Sequence, residues 1–278
     1  MKVQVIGLAV VATAFAGGAQ AASVEIRDAV ARVTVIPEDR TDVRVEVTAP
    51  NPRLPLTIRT LGDRTVIDGD LDRRIRDCHG RGERQKIKVR GVGDVAHADT
   101  PQVVIRTPRN VDVSADGAVS GVIGRARSVR LSNSGCSSWT VADVAGKATI
   151  SESGAGSVRM GAAESLEVDI SGAGSVHATR IRNGLDAELS GAGGVSIDEL
   201  YGPVSADVSG VGKVRVAAGR ATSLRASVSG VGGVEFDGPV GALNASISGL
   251  GGVSVKSVSG PVRKSVSGIG RVRIAEGS

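Results

Sequence analysis

Ser190-Gly191-Ala192-Gly193-Gly194-Val195-Ser196-Ile197, followed nineteen residues on by Ser209-Gly210-Val211-Gly212-Lys213-Val214-Arg215-Val216, is the stretch that decides the fold. The pattern Ser-Gly-x-Gly-x-Val starts at Ser153, Ser171, Ser190, Ser209, Ser229, Ser248 and Ser267, in steps of 18, 19, 19, 20, 19 and 19 residues. Two degenerate copies precede these, Ser134-Gly135-Cys136-Ser137-Ser138-Trp139 and Ser114-Ala115-Asp116-Gly117-Ala118-Val119. A near-constant period of this length marks a solenoid, in which each unit buries its apolar face only against its neighbours.

The residues around the motif fall into columns. Two places beyond the motif valine stand Met160, Ala178, Ile197, Val216, Phe236, Val255 and Ile274. Just before the motif come Ile170, Leu189, Val208, Val228, Ile247 and Val266, and four residues earlier Leu166, Leu185, Val204, Leu224, Leu243 and Val262. Between those two columns lie Val168, Ala187, Ala206, Ala226, Ala245 and Lys264. This is period two, with glycine and β-branched residues dominating, so it predicts strands and disfavours helices. The two-glycine bracket predicts a sharp corner with no Cβ to clash. The expected fold is all-β: a right-handed parallel β-helix of about nine coils, roughly 40 Å long at ~4.8 Å per coil. Lys264 breaks an inward column in the last full coil, and its amine is expected to escape through the open end of the stack.

Three regions are predicted. Residues 1–21 read as a signal peptide: Lys2, an apolar run from Val3 to Ala16, then Ala19-Gln20-Ala21 as the cleavage pattern. The run is too short to span a bilayer stably, and no cysteine follows the cut to carry a lipid. No later segment reads as a transmembrane helix, so the mature chain is expected to be soluble, in the periplasm or at the surface of a bacterium. Residues 22–110 lack the repeat but alternate strictly, as in Ala31-Arg32-Val33-Thr34-Val35, and are expected to form a β-rich cap. Residues 111–278 are the β-helix. Beyond the leader the aromatic residues are Trp139, Tyr201 and Phe236, so buried area must come from many small aliphatic layers.

Cys78 and Cys136 are the only two cysteines, in a compartment where disulfides persist. A bridge between them is the simplest expectation, tying the cap to an early coil; two buried free thiols are the alternative.

Carried along most of the mature chain, Ser-Gly-[Ala/Val/Leu/Ile]-Gly-x-Val together with Val103-x-Ile105-x-Thr107-Pro108 resembles the head GIN domain family of bacterial candidate autotransporter adhesins. The resemblance implies an exported β-solenoid with no catalytic residues to transfer. The chain departs from autotransporters in that no membrane barrel follows the last coil before Ser278.

Chemistry-bearing patterns are sparse. Gly-x-Gly repeated seven times without helices is a structural corner, so no nucleotide is expected. Calcium-binding nonapeptide solenoids place aspartate in each turn where these turns carry Ala, Val, Leu or Ile. Asp68-Gly69-Asp70-Leu71-Asp72 begins like a calcium loop, but Arg73 and His79 stand where glycine and glutamate are needed. His79, His97 and His177 lack metal-ligand spacing, so neither metal nor cofactor is expected.

The informative polar segment runs from Arg73 to Arg90. Arg73, Arg74, Arg76, Arg81, Arg84, Lys86, Lys88 and Arg90 face only Asp77 and Glu83, a local +6 in a chain of net +5. Nucleic acid is not expected outside the cytoplasm. Two readings stand for this segment: a contact for an anionic cell-envelope glycan or another envelope protein, and a solvated loop kept soluble by charge. The sequence therefore reads as a non-catalytic exported binding or structural protein, adhesin-like. A carbohydrate-active enzyme of the polysaccharide lyase or hydrolase type is the alternative, because such enzymes also use β-helices. Against it, no coil from Ser153 onward has an insertion longer than one residue to build a cleft. The last coil, Ser267 to Ala275, leaves a strand row open to end-to-end self-association.

Overall fold

The computed structural model describes residues 22–79 and 85–275. The predicted leader, 1–21, lies outside the described residues, as do Arg81 and Arg84. The chain is a parallel β-solenoid of about nine coils, with no α-helix among the described residues.

Register shows why the columns matter. Val176 pairs with Val195, Val195 with Val214, Val214 with Val234 and Val234 with Val253, all parallel. A second ladder runs through Leu166, Leu185, Val204, Leu224, Leu243 and Val262. A third, shorter column closes each coil: Ala163 pairs with Ile181 and Ile181 with Leu200, and further on Ala221 pairs with Val240 and Val240 with Val258. These three inward files form one continuous aliphatic core. Trp139 lies in the motif-valine file and is buried. Its ring fits because Gly121 stands opposite it on the preceding coil, where any Cβ would meet the indole.

The motif glycines act chiefly through packing. Gly154, Gly172, Gly191, Gly210, Gly230 and Gly249 keep ordinary negative φ, so the corner itself does not demand glycine there. A Cβ on Gly191 would instead run into the carbonyl oxygen of Gly172 one coil away, and one on Gly210 into that of Gly191. Each glycine is required by the backbone stacked against it.

The earliest repeat copy is offset from its expected alignment. Asn133 pairs with Ala115, and the Cys136 N–H donates to the Gly117 carbonyl. Asp116-Gly117-Ala118 therefore stacks on Ser134-Gly135-Cys136, two residues away from the Ser114 start read from the sequence. A two-residue slip leaves the same side chains facing inward, so alternation cannot detect it.

Parallel stacking extends to Ser23. Strand Ser23–Glu38 pairs with Asn110–Ile123 on one side; on its other side, Arg64–Asp68 covers its first half and Gln102–Pro108 its second. Antiparallel partners then close that end: Arg44–Ala49 lies on Gln102–Pro108, and Thr57–Leu61 on Arg64–Asp68. Among the described residues antiparallel pairing is confined to these strands and a small sheet of Ile75–His79, Lys86–Val89 and Gly93–Ala96. At the other end Val262 and Val266, in core columns, are 41% and 45% exposed, and Lys264 is exposed between them.

Candidate binding surfaces

The described residues of the basic segment supply the first two strands of that small antiparallel sheet, which packs on the first coils through a satellite core of Val30, Leu54, Leu71, Ile87, Val89, Val95 and Ala118. Cys78 in its first strand and Cys136 in a repeat corner lie at disulfide distance, with Cα atoms 6.4 Å apart. Alternation along Lys86–Val89 buries Ile87 and Val89 and turns Lys86 and Lys88 to solvent. Arg73 occupies a turn at φ 48°, beside Asp70 at φ 51°, and Arg76 is exposed on the first strand. Arg74 Nε donates to the Arg90 carbonyl at 3.1 Å, which ties the two ends of the sheet together.

The cations are interleaved with anions. Lys88 pairs in register with Asp77 on one neighbour and Asp94 on the other, and Lys86 stands opposite His79, which sits 2.7 Å from Asp77. Asp68 Oδ1 accepts the Asp70 N–H at 2.9 Å, so the calcium-like stretch is an Asx turn. His177 Nδ1 lies 2.8 Å from Ser196 Oγ, a contact between adjacent coils.

The solenoid's outer faces carry a second set of charged groups. On the face of the second ladder Asp169, Glu188 and Asp207 stand one above another on consecutive coils, with Glu167 and Asp186 in the adjoining file. Glu167 is ion-paired to Lys147. Glu167 and Asp186 edge a shallow depression of about 440 Å³. The sequence signal was there, an acidic residue directly after Leu185 and another directly before Leu189, but it becomes a file only once coils are superposed.

A row of apolar corners adds a third feature. The variable motif residue is alanine in the coils of Ser153, Ser171 and Ser190, but Val211, Val231, Leu250 and Ile269 follow, exposed by 61%, 49%, 54% and 86%.

With this geometry in view, comparison with known proteins bears on the fold. No protein-family model matches the chain, and no curated protein does. The chain is similar to the crystal structure of a candidate adhesin from Parabacteroides distasonis. The superposition gives a TM-score of 0.54 over 91% of this chain and 92% of that one, at 15% identity. At that identity the likeness establishes a shared solenoid architecture over nearly the full length of both proteins.

Proposed function

We propose that this protein is an exported, non-catalytic binding protein of the adhesin type, of the head GIN domain kind, whose repeat-built faces and tethered basic sheet contact an anionic polymer of the cell envelope. The observation that carries this reading is the flatness of the working surface. Coils from Ser153 onward differ in length by at most two residues, so side chains of successive rungs emerge side by side and in parallel. Such a surface suits an extended polymer crossing many coils. Glycosidic cleavage needs two carboxyl groups facing each other across the bond, whereas Asp169, Glu188 and Asp207 project from one sheet in the same direction. The disulfide-distance cysteines and the fold shared with a candidate adhesin support export.

The test is binding of the purified protein to an anionic glycan over a salt series. Affinity should fall with salt, and the triple change Arg76→Ala, Lys86→Ala, Lys88→Ala should weaken binding and flatten the salt dependence. Salt-independent binding, or none, overturns the reading. The carbohydrate-active alternative would have to draw on these same carboxylate files without a facing partner. It would be established by release of reducing ends from an envelope polysaccharide, lost in Glu188→Gln.

A further inference from the structure

We propose that the bulged corner carrying Tyr201 is a binding site for a polysaccharide bearing carboxylate groups. The inference rests on the anionic-polymer reading above but assigns the contact to a different part of the molecule, built on the coils and not on the tethered sheet.

Tyr201 is 43% exposed, while Trp139 and Phe236 are buried in the core. Its hydroxyl donates to Glu199 Oε1 at 2.7 Å, and Glu199 also pairs with Arg180, so the ring is oriented from below. Along the solenoid Tyr201 pairs in register with Arg220 on the next coil. On the preceding coil the Gly184 N–H donates to the Tyr201 carbonyl at 2.9 Å, which places Arg182 in the adjoining turn. Arg182 in turn lines a depression of about 330 Å³ with Arg109, Arg125, Arg127 and Asp143.

The anions in this region are mostly engaged. Asp39 holds Arg109, Glu199 holds Arg180, Asp198 lies 3.5 Å from His177, and Asp143 Oδ1 accepts the Ala162 N–H at 2.9 Å; Glu164 and Asp237 are further carboxylates on these turns. Arg125, Arg127, Arg182 and Arg220 are exposed and enter no side-chain hydrogen bond or ion pair among the described residues. The fold also breaks its own regularity here. Register shifts fall between Gly202 and Val204, and Gly184, Gly202 and Gly219 take φ of 106°, 101° and 117°. Bulges of this kind re-aim side chains.

The chemistry is specific to a charged sugar chain. An exposed tyrosine ring offers an apolar face to a pyranose, and flanking guanidinium groups bind carboxylates by charge-assisted, bidentate hydrogen bonds. With coils about 4.8 Å apart, Arg182, Tyr201 and Arg220 meet an axial polymer in succession. A phosphate polymer would use the arginines and leave the ring idle; a neutral glycan would use the ring and leave the arginines idle.

The experiment measures binding of the full chain to polygalacturonate, to its methyl-esterified form, and to polyphosphate. The expected result is preference for polygalacturonate, with affinity falling roughly tenfold or more in Tyr201→Ala and in the pair Arg182→Gln, Arg220→Gln. Tyr201→Phe, which keeps the ring, should bind as the parent does. Because these side chains are exposed, all variants should melt with the parent, which separates lost contact from lost fold. Equal binding by the corner variants, or no preference over the ester and polyphosphate, overturns the site. If the corner variants bind normally while Arg76→Ala, Lys86→Ala, Lys88→Ala binds weakly, the site falls and the anionic-polymer reading stands. If the parent binds no polyanion, both fall.

Discussion

Glycine 191 and glutamate 152 show how a single side chain is judged by the coil next to it. Gly194 lies three residues from Gly191 in the same corner, yet its Cβ would approach only the Lys213 carbonyl, at 3.3 Å. Its file already carries side chains, Ser175 before it and Lys213 after it. Gly191→Ala should therefore cost about 1–3 kcal/mol through overpacking against Gly172, and Gly194→Ala clearly less, as read by urea titration. Equal costs would mean that the corner needs glycine for its backbone and not for stacking. Glu152 occupies a file held by Ile170, Leu189 and Val208 in later coils, and is 1% exposed. Its carboxylate accepts from Asn133 Nδ2 at 2.6 Å and from the N–H groups of Gly154 and Gly156 at 3.2 and 3.3 Å. Burial pushes its pKa above the usual carboxylate value, with those three bonds pulling the other way. The folded state thus holds this proton more tightly than the unfolded chain does. Its contribution to stability is greatest below the ordinary carboxylate range, near pH ~4.3, and is lost as pH rises through the raised value. Glu152→Gln should abolish that decline and leave the protein at least as stable at neutral pH. The new amide can donate to Asn133 Oδ1, which is buried without a partner in the native protein. Denaturant titrations from about pH 4 to about pH 8 check this; a variant that keeps the native slope assigns the pH dependence elsewhere.

Among the elements, the small sheet of Ile75–His79, Lys86–Val89 and Gly93–Ala96 depends most on a covalent tie. It buries only a satellite core, and Cys78–Cys136 links it to a repeat corner across a sequence separation of 58. Closing a loop of that length is worth roughly 4 kcal/mol by loop-closure entropy. Reduction, or Cys136→Ser, should lower global stability by up to that amount. It should also open the sheet to proteolysis between about residues 69 and 101 before the coils unravel. Protection unchanged by reductant would show that the satellite core suffices. This element was partly legible in advance. The cysteine pair and the alternation at Lys86–Val89 could be read directly, but not the interleaving of Lys88 with Asp77 and Asp94. Antiparallel register depends on turn geometry, which charge counting does not see.

As a whole molecule, the solenoid is a one-dimensional stack, and stability should follow from nearest-neighbour contacts. Leu189 and Val208 are paired in register, so excising Ser190–Val208 joins two ends that already superpose. The shortened protein should fold, with the same circular dichroism signature per residue and a smaller denaturant m-value. Removing Ser190–Val195 alone should destabilise the protein more than removing the whole coil, because the shortened coil can no longer pair in register with the coil before it. A whole-coil deletion that unfolds would contradict a purely local stack. Among the described residues strand Val262–Val266 pairs on one side only, and Val262 and Val266 are exposed. If end-to-end association occurs through it, light scattering of a version lacking 267–278 should show a smaller assembly.

Repetition alone determined the strands, the inward files and the stacking of Val176, Val195 and Val214, because a nineteen-residue period superposes equivalent side chains whatever the details of the corner. Tertiary structure alone decided how the earliest copy of the motif is aligned, why the glycines are needed, and how the corners are aimed at the surface. Arg182, Tyr201 and Arg220 stand at nineteen-residue intervals, so the period stacks them although they share no motif, and the structure adds the bulged corner that presents them. Coil stacking brings them together, since proximity in a solenoid is set by register between coils and not by distance along the sequence.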